Sequence, residues 1–351
     1  MTDDAIPTCP LCDRPIPPDV PQSLHHLVPR LRGGKGGPTI LIHHICHKEI
    51  HATLSEAELA RHTGLETAAL NRLLLAAASL HLIQRRDDGL YDLGAHGAAL
   101  LGNPGISSMV RHHALLYADL ADPVALLRDR QQSRLSQYWP YAVTQEPDRL
   151  EANQVRDYSD LMAQSQALVA SDILDAYPLR QHRVMLDIAG GEGVFLTQAA
   201  ARWPHLRATL FDLPAVAQLA EQRLLRAGVK DRVQVAGGDL FASPSLQGFD
   251  LVSLVRVVHD HDDAEALAIL KVARRALQPG GRLLLAEPMA GTRGAEAMGD
   301  AYFGFYLWAM GSGRARRVEE LRHMLRQAGF AECRELRTPR PLLVRILVAE
   351  V

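Results

Sequence analysis

A histidine directly after a short apolar segment is the first residue here whose type and position suggest catalysis. The segment Leu251–Val255 is followed by Arg256 and then by His259-Asp260-His261. An imidazole at the carboxyl end of a buried strand is a candidate general base, because its pKa lies near neutrality. Glu287 ends the next predicted strand and could hold the imidazole in the tautomer that accepts a proton. His259, Asp260 and Glu287 are the candidate catalytic residues; the alternative is that His259 only caps the following helix.

A glycine turn farther upstream predicts that a ligand binds at the same edge of the sheet. The apolar segment Val184–Ile188 leads into Gly190, Gly191 and Gly193, and glycines let a backbone approach a ligand closely. The third glycine of a dinucleotide fingerprint would fall at Leu196, so the pattern does not favour a nicotinamide cofactor. Asp187 stands just before the turn, where its carboxylate can face a cationic ligand.

Two further acids follow the next two predicted strands. Asp212, before Leu213, is placed to bind both hydroxyls of a ribose. Asp239, in Gly238-Asp239-Leu240-Phe241, could accept a hydrogen bond from an adenine amino group, with Phe241 near the ring. The alternative for each acid is a helix cap. Three such signals in order, each after a strand, together predict a nucleoside-binding crevice.

The elements that must position these residues form a predicted α/β fold, a Rossmann-like, doubly wound sheet over residues 181–351. Strands alternating with helices imply parallel pairing. The last strand follows two prolines closely, so it is expected to run antiparallel near an edge. The predicted strands are Val184–Ile188, Ala208–Asp212, Val233–Ala236, Leu251–Val255, Arg282–Glu287 and Leu342–Ala349.

Residues 55–180 read as a mostly helical region of winged-helix type. Ser55 and Glu58 form a capping-box pattern, a second helix is predicted from Glu66 to Leu80, and Asp88-Gly89 is a hairpin signal. Such a unit often binds DNA, but its second helix offers Arg72 as its single exposed base. A role in packing, dimerisation or substrate binding is the alternative that we favour.

The composition bounds the class of protein. The chain has 351 residues, of which 47% are hydrophobic, and its net charge of -2 argues against nucleic acid as the main partner. Neither a transmembrane run nor a signal peptide is recognisable, so we expect a cytoplasmic protein that does not span a membrane.

Several longer motifs resemble one enzyme family. They are His112-His113-Ala-Leu-Leu-Tyr, Tyr138-Trp-Pro-Tyr141, Asp187–Gly193, Leu254–Asp260, Glu287-Pro-Met-Ala-Gly and Gly299–Gly313. From about Ser55 to Val351 the chain resembles the small-molecule O-methyltransferases of the plant and acetylserotonin type, in particular the branch of bacterial carotenoid synthesis. The resemblance implies S-adenosyl-L-methionine (SAM) as cofactor, His259 as base, Glu287 as its partner and Asp212 and Asp239 as cofactor ligands. Arg256 falls where plant members carry a cofactor-binding lysine.

The same resemblance implies a hydroxylated, apolar acceptor such as a hydroxycarotenoid. The stretch Tyr302–Met310 would line its pocket, with ordinary helix core as the alternative. A polyene acceptor resides in membrane, so peripheral membrane association is expected, and the family also implies a homodimer. Two departures are Ala189, where the family has glycine, and Ala315, where plant members carry a second catalytic glutamate.

The N-terminal segment replaces the family's dimerisation helices and resembles an HNH endonuclease module over about residues 9–61. Cys9, Cys12, His43 and Cys46 have the spacing of a structural Zn²⁺ site. His25, His47 and His51 could hold a catalytic metal, with His26 activating water. We therefore predict three domains, 1–54, 55–180 and 181–351. A metal-dependent DNA endonuclease or DNA-binding protein with a vestigial methyltransferase half is the alternative function.

Overall fold

The structure is a computed structural model that describes residue 16 and residues 22–26, 39–43, 54–138, 152–242 and 246–351. The chain forms two compact units, Met1–Ser108 and Met109–Val351. The division at residue 108 falls inside a helix rather than at either predicted boundary, and the three-domain division stays a prediction.

The first unit contains two small antiparallel strand pairs and short helices. Strands β1 (Gln22–His26) and β2 (Thr39–His43) pair with each other, as do β3 (Ile83–Arg85) and β4 (Tyr91–Leu93). Helices α1 (Glu56–Thr63), α2 (Thr67–Ser79) and α3 (Ala95–Leu101) also lie among the described residues of this unit.

The predicted local signals of this unit are present. Ser55 and Glu58 form the reciprocal capping box of α1, and Gly89 has φ +80° in the β3–β4 turn. Leu70, Leu74 and Tyr91 form a small buried core. The helices and hairpin thus occur in the predicted order, while the winged-helix assignment itself stays a prediction.

Nine further helices lie in the described part of the chain after α3. Their bounds are α4 Pro104–Asp119, α5 Pro123–Arg128, α6 Arg134–Tyr138, α7 Ala152–Ala176, α8 Val194–Arg202, α9 Pro214–Arg226, α10 Asp263–Ala276, α11 Phe303–Met310 and α12 Val318–Gln327. A π-helical turn, Ala297–Tyr302, leads into α11. None of the helices in the described part of the chain has both the length and the hydrophobicity needed to cross a membrane.

A seven-stranded sheet organises the second unit. Its strands are β5 Val184–Ile188, β6 Arg207–Asp212, β7 Val233–Gly237, β8 Phe249–Val255, β9 Leu277–Glu287, β10 Glu332–Leu336 and β11 Arg345–Glu350, in the order β10-β11-β9-β8-β5-β6-β7. Strands β5 to β9 are mutually parallel, as predicted. The order reverses at β5, and that switch point is where open α/β sheets bind ligands.

The sheet contains one strand that the sequence did not predict. β11 pairs antiparallel with β9, as expected for the last strand, but an unpredicted strand, β10, pairs antiparallel with β11 and forms the edge. The sheet is therefore mixed. β10 and β11 pair antiparallel because the segment that joins them contains no crossover helix.

Both faces of the sheet are covered by helices, which explains its apolar strands. Side chains alternate between the faces: Met185 packs into a core formed with α7, α8 and α9, and Leu186 into a core formed with α10 and α12. A third core joins α11 to α4, α5 and α6 through Leu116, Leu126 and Leu307. The parallel strands therefore end at one edge, beneath α7 and α11.

Candidate active site

A cavity of about 730 Å³ opens at the carboxyl ends of β5, β6 and β8. It brings together most of the residues that the sequence singled out for a cofactor and for catalysis. Those lining it are Asp187, Gly190, Gly191, Asp212, Leu213, Gly238, Asp239, Leu240, Phe241, Arg256, His259 and Asp260. Glu287 is buried behind His259, and Gly193 ends the glycine turn against Leu210 and Leu224. The predicted crevice is therefore a single site.

The turn after β5 is shaped for close approach of a ligand to the backbone. Gly191 and Gly193 have φ of +57° and +80°, and a Cβ on Gly190 would lie 2.6 Å from Asp187 Oδ2. Ala189 also adopts the left-handed region, with φ +52°, a conformation that glycine takes without strain. The family's glycine at this position thus has a clear physical reason.

Asp187 presents an unsatisfied carboxylate oxygen at the base of the cavity. Its Oδ1 accepts a hydrogen bond from the Ser253 hydroxyl, whereas Oδ2 is buried and has no hydrogen-bond partner among the described residues. Burial, opposed by the hydrogen bond from Ser253 and assisted by the charge of the nearby Asp212, raises the pKa of Asp187 to about 7. A buried carboxylate that lacks a partner is costly, so this oxygen fits a cationic group supplied by a ligand.

Asp212 is held at the end of β6 by the backbone of the turn. Its Oδ2 accepts from the Gly191 N–H at 2.8 Å, and its Oδ1 accepts from the Leu213 N–H at 2.7 Å. Burial raises the pKa of Asp212 to about 6, although both hydrogen bonds act in the opposite direction. Each carboxylate oxygen has a second lone pair, so Asp212 can still accept from two hydroxyls of a ligand.

Asp239 lies in the same cavity, but its hydrogen bond is local. Its Oδ1 accepts from the Phe241 N–H at 2.8 Å, which is the capping role considered as the alternative. Among the described residues, Oδ2 of Asp239 has no hydrogen-bond partner. Phe241 is 47% exposed, with its ring centroid 6.2 Å from that of His261. The geometry thus permits both readings of Asp239.

His259 and Glu287 form the predicted pair. The imidazole Nδ1 lies 2.6 Å from Glu287 Oε2, and Glu287 Oε1 accepts from the backbone N–H groups of Val257 and Val258 at 3.0 and 2.7 Å. Both side chains are buried. With Nδ1–H donated to Glu287, the remaining nitrogen, Nε2, is the one that can accept a proton.

Asp260 adds a second carboxylate beside the same ring. Its Oδ1 lies 3.2 Å from His259 Nε2. Burial lowers the pKa of His259, but the charges of Asp260 and Glu287 outweigh burial, so the pKa lies above its ordinary value. Burial likewise raises the pKa of Asp260 against the opposing charge of His259. The ring is therefore a strong base that is easily protonated.

Arg256 lines the cavity but directs its guanidinium to α7. Nη1 donates to Ser165 Oγ at 2.9 Å, and Nη2 lies 3.8 Å from Met162 Sδ. Its backbone has φ +58°. No described contact of Arg256 by itself identifies a cofactor, so its binding role stays a prediction. The participation of α7 was missed, because its polar and apolar residues alternate as in any surface helix.

Three aromatic residues, Tyr302, Phe303 and Tyr306, line the cavity together with Met310. We call these four residues the aromatic wall. The Phe303 ring lies edge-on to the imidazole, with centroids 6.2 Å apart. Burial raises the pKa of Tyr302 to about 12, so its hydroxyl stays protonated. The predicted stretch therefore supplies both pocket and core, since Leu307 and Ala309 of the same helix are buried in packing.

Two histidines of α4 hold the wall's tyrosines. His113 Nε2 lies 2.7 Å from the Tyr302 hydroxyl, and His112 Nε2 lies 3.0 Å from the Tyr306 hydroxyl. Burial, with a smaller effect of His113, lowers the pKa of His112 to about 4, so it is neutral. The tyrosines and the histidines belong to separate motifs of the sequence, and their pairing appears only in the fold.

The predicted metal ligands lie largely outside the described residues. Cys9, Cys12, Cys46, His47 and His51 are not described, and for His25, His26 and His43 only the backbone in β1 and β2 is described. Among the residues that the structure does describe, no group of three His, Cys, Asp or Glu could hold a metal ion. Zinc binding and the HNH resemblance therefore stay predictions.

Comparisons with known proteins agree with this geometry. A family model described as an O-methyltransferase domain matches residues 117–331. The demethylspheroidene O-methyltransferase of Rhodobacter capsulatus is 41% identical over 296 residues, which cover 84% of this chain and 72% of that protein.

Solved structures give the same answer. LaPhzM superimposes with a TM-score of 0.68 at 27% identity, covering 85% of this chain and 89% of that one. NcsB1 from neocarzinostatin biosynthesis, solved in complex with SAM and 2-hydroxy-5-methyl naphthoic acid, has a TM-score of 0.62 at 25% identity and covers 84% and 89%. The chain belongs to the O-methyltransferase family and is a SAM-dependent O-methyltransferase.

Proposed function

We propose that this protein transfers a methyl group from SAM to the hydroxyl of an apolar hydroxycarotenoid, with His259 as general base. The observation that carries the proposal is the shared cavity, which is lined by Asp187, by His259 and by the aromatic wall. The similarity to demethylspheroidene O-methyltransferase supports the acceptor class.

The residues of the glycine turn fit the cofactor. Asp187 offers a buried anionic oxygen to the amino group of the methionine part, and a Cβ at position 190 would crowd that oxygen at 2.6 Å. Asp212 would accept from the ribose hydroxyls, and Asp239 with Phe241 would contact the adenine. When bound, SAM supplies an electrophilic methyl group on a positively charged sulfur.

Side chains of this protein can take up the proton that the acceptor hydroxyl loses. Neutral His259 takes the acceptor's hydroxyl proton at Nε2 as the oxygen–methyl bond forms, and Glu287 stabilises the resulting imidazolium through Nδ1–H. Such a base typically contributes about 10²–10⁴-fold to the rate. The aromatic wall aligns the acceptor and excludes water, which adds the larger effect of orientation.

Radiolabelled SAM and hydroxyneurosporene test the proposal. We expect label in the carotenoid with the native chain and a loss of about 10²–10⁴ in kcat for His259→Ala. Equal transfer by both would refute the base assignment. An absence of transfer to the carotenoid, with transfer to a phenolic acceptor, would refute the acceptor class. Co-sedimentation with vesicles tests the peripheral membrane association that a polyene acceptor implies.

We also propose that the N-terminal module, residues 1–54, binds zinc, with HNH-type DNA cleavage as the second candidate function. The antiparallel β1–β2 pair supports this, because its register places His25 and His26 at one end and His43 at the other, as two separate metal sites would require. Metal analysis of the purified chain and plasmid nicking compared with His26→Ala test it. A metal-free chain that does not nick DNA would overturn both.

A further inference from the structure

We infer that Arg316 is a positioning residue for His259, acting through the backbone of the loop that carries the histidine. This base loop comprises residues 257–262. A clamp segment, residues 311–316, lies directly against it. The inference rests on the proposed role of His259 as the base.

Arg316 is buried, with 1% of its surface exposed. Its Nη1 donates to the Val258 carbonyl and its Nη2 to the His261 carbonyl, both at 2.7 Å, while Nε donates to Asp263 Oδ1 at 3.0 Å. The two carbonyls flank His259 on either side in sequence. Because a guanidinium is planar and its donors are fixed in direction, these bonds set the spacing of the loop across the histidine.

The rest of the clamp approaches the loop just as closely. Gly313 has φ +82°, and a Cβ there would overlap the His259 carbonyl oxygen and the Asp260 backbone. Its N–H donates to Asp262 Oδ1 at 3.0 Å, and Ser312 Oγ donates to the Asp260 carbonyl at 2.5 Å. Only a glycine fits at this distance, so the segment has no freedom to slide along the loop.

The clamp also joins the base to the acceptor pocket. It follows α11 without a break, and Met310, Gly311 and Ser312 line the cavity beside the aromatic wall. An acceptor seated on the wall is therefore placed relative to His259 Nε2 by the same few residues that hold the loop. A displacement of about 1 Å at such a point can cost about 10²-fold in rate.

The neighbouring Arg314 provides a matched control. It also bonds Asp263, at 3.0 Å, and forms a second ion pair with Glu320 at 2.8 Å. Its side chain is 44% exposed. Among the described residues, it donates no hydrogen bond to a carbonyl of the base loop. The two arginines thus share their charge and the contact with Asp263. They differ in exposure, in the ion pair with Glu320 and in the hydrogen bonds to the base-loop carbonyls.

Arg316→Gln, Arg316→Lys and Arg314→Gln are compared in methyl transfer and in SAM affinity by calorimetry. For Arg316→Gln we expect kcat to fall about 10–100-fold, with the SAM Kd within twofold of the native value. As the loop relaxes, His259 moves from its two carboxylates and its pKa falls, so the acid limb of the kcat profile moves to lower pH. Lysine should recover part of the loss, and Arg314→Gln should stay within twofold.

Each variant is repeated in the His259→Ala background. If Arg316 acts through His259, its substitution has little further effect there. A full additional loss in that background, or native kcat and pH profile in folded Arg316→Gln, overturns the inference. Should the glutamine variant not fold, native kinetics in Arg316→Lys overturn it equally. Native kcat in His259→Ala alone would instead refute the proposed base, which distinguishes the two failures.

Discussion

Ala189 and Arg256, two non-glycine residues beside the cavity, have left-handed backbones. This conformation costs an L-residue roughly 1–2 kcal/mol, and such strain persists where the surroundings impose it. In this protein the sheet imposes the left-handed backbone. The Ala189 N–H donates to the Phe211 carbonyl and the Arg256 N–H to the Ala286 carbonyl, both at 2.8 Å. Each strand is therefore anchored at its last pairing before the chain turns into the site.

Replacing Ala189 by glycine should stabilise the folded chain. The strain disappears, although glycine adds unfolded-state entropy, so we expect the free energy of unfolding to rise by about 0.5–1 kcal/mol. Urea denaturation measures it. Ala201→Gly, near the end of α8 with ordinary helical geometry, is the control and should lose stability. A loss for Ala189→Gly as well would show that the φ at this position is not strained.

The pH dependence of transfer should report the two carboxylates around His259. Because the charges of Asp260 and Glu287 raise the pKa of His259, the base is protonated over a wider range and activity rises only as pH passes that pKa. Asp260→Asn removes one charge, lowers the pKa and should move the acid limb of kcat/KM to lower pH.

Asp250→Asn is the matched control for that shift, since Asp250 Oδ1 lies 3.2 Å from a different histidine, His182, outside the cavity. Its profile should coincide with that of the native chain. An unmoved acid limb in Asp260→Asn would mean that His259 does not set it.

At the scale of single residues, the sequence predicted which residues form the site better than it predicted the contacts between them. Glu287 ends β9 and His259 follows the end of β8, the parallel neighbour of β9, so the order of these strands brings the two residues together. The contact of Asp260 with Nε2 did not follow, since it depends on side-chain rotamers within one tight loop. Nor could the sequence tell that Asp187 keeps one oxygen unpartnered, because Ser253, which occupies the other, lies on a different strand.

Helices α4 and α11 are held together by paired polar groups inside an apolar core. Tyr306→Phe leaves His112 Nε2 without its partner in a buried position, where Nδ1 already has none. An unsatisfied buried group costs about 1–3 kcal/mol, and we expect that loss in the free energy of unfolding by urea. Tyr302→Phe, whose partner His113 is only half-buried, should cost less. Equal losses would show that burial does not decide the effect.

The elements that prediction missed have weak sequence signals. Strand β10 reads Glu-Cys-Arg-Glu-Leu, and its charged side chains are typical of an exposed edge strand rather than of a buried one. The π-helical turn before α11 contains no proline that would mark it in the sequence. By contrast, the parallel strands carry long apolar runs, because both of their faces are buried, and their positions were predictable to within two or three residues in most cases.

At the scale of the molecule, the cofactor is expected to stabilise the unit Met109–Val351, because every described residue of the cavity belongs to it. Binding to the native state alone adds about 2.7 kcal/mol when SAM is present at 100 times its Kd. Scanning calorimetry should therefore show the corresponding transition rising in temperature with SAM concentration. A transition that is insensitive to SAM would contradict the proposed cofactor.

The same stabilisation should depend on pH through Asp187. Since the folded-state pKa of about 7 lies above that of the unfolded chain, ionising this carboxyl costs the free protein stability as pH rises from the unfolded pKa to about 7. A bound ammonium group offsets that cost, so the shift in unfolding temperature caused by SAM should be larger at pH 8 than at pH 6. In Asp187→Asn the shift should be small at both values, because the amide cannot ionise. A native-sized, pH-dependent shift in that variant would assign the amino group of SAM to another residue.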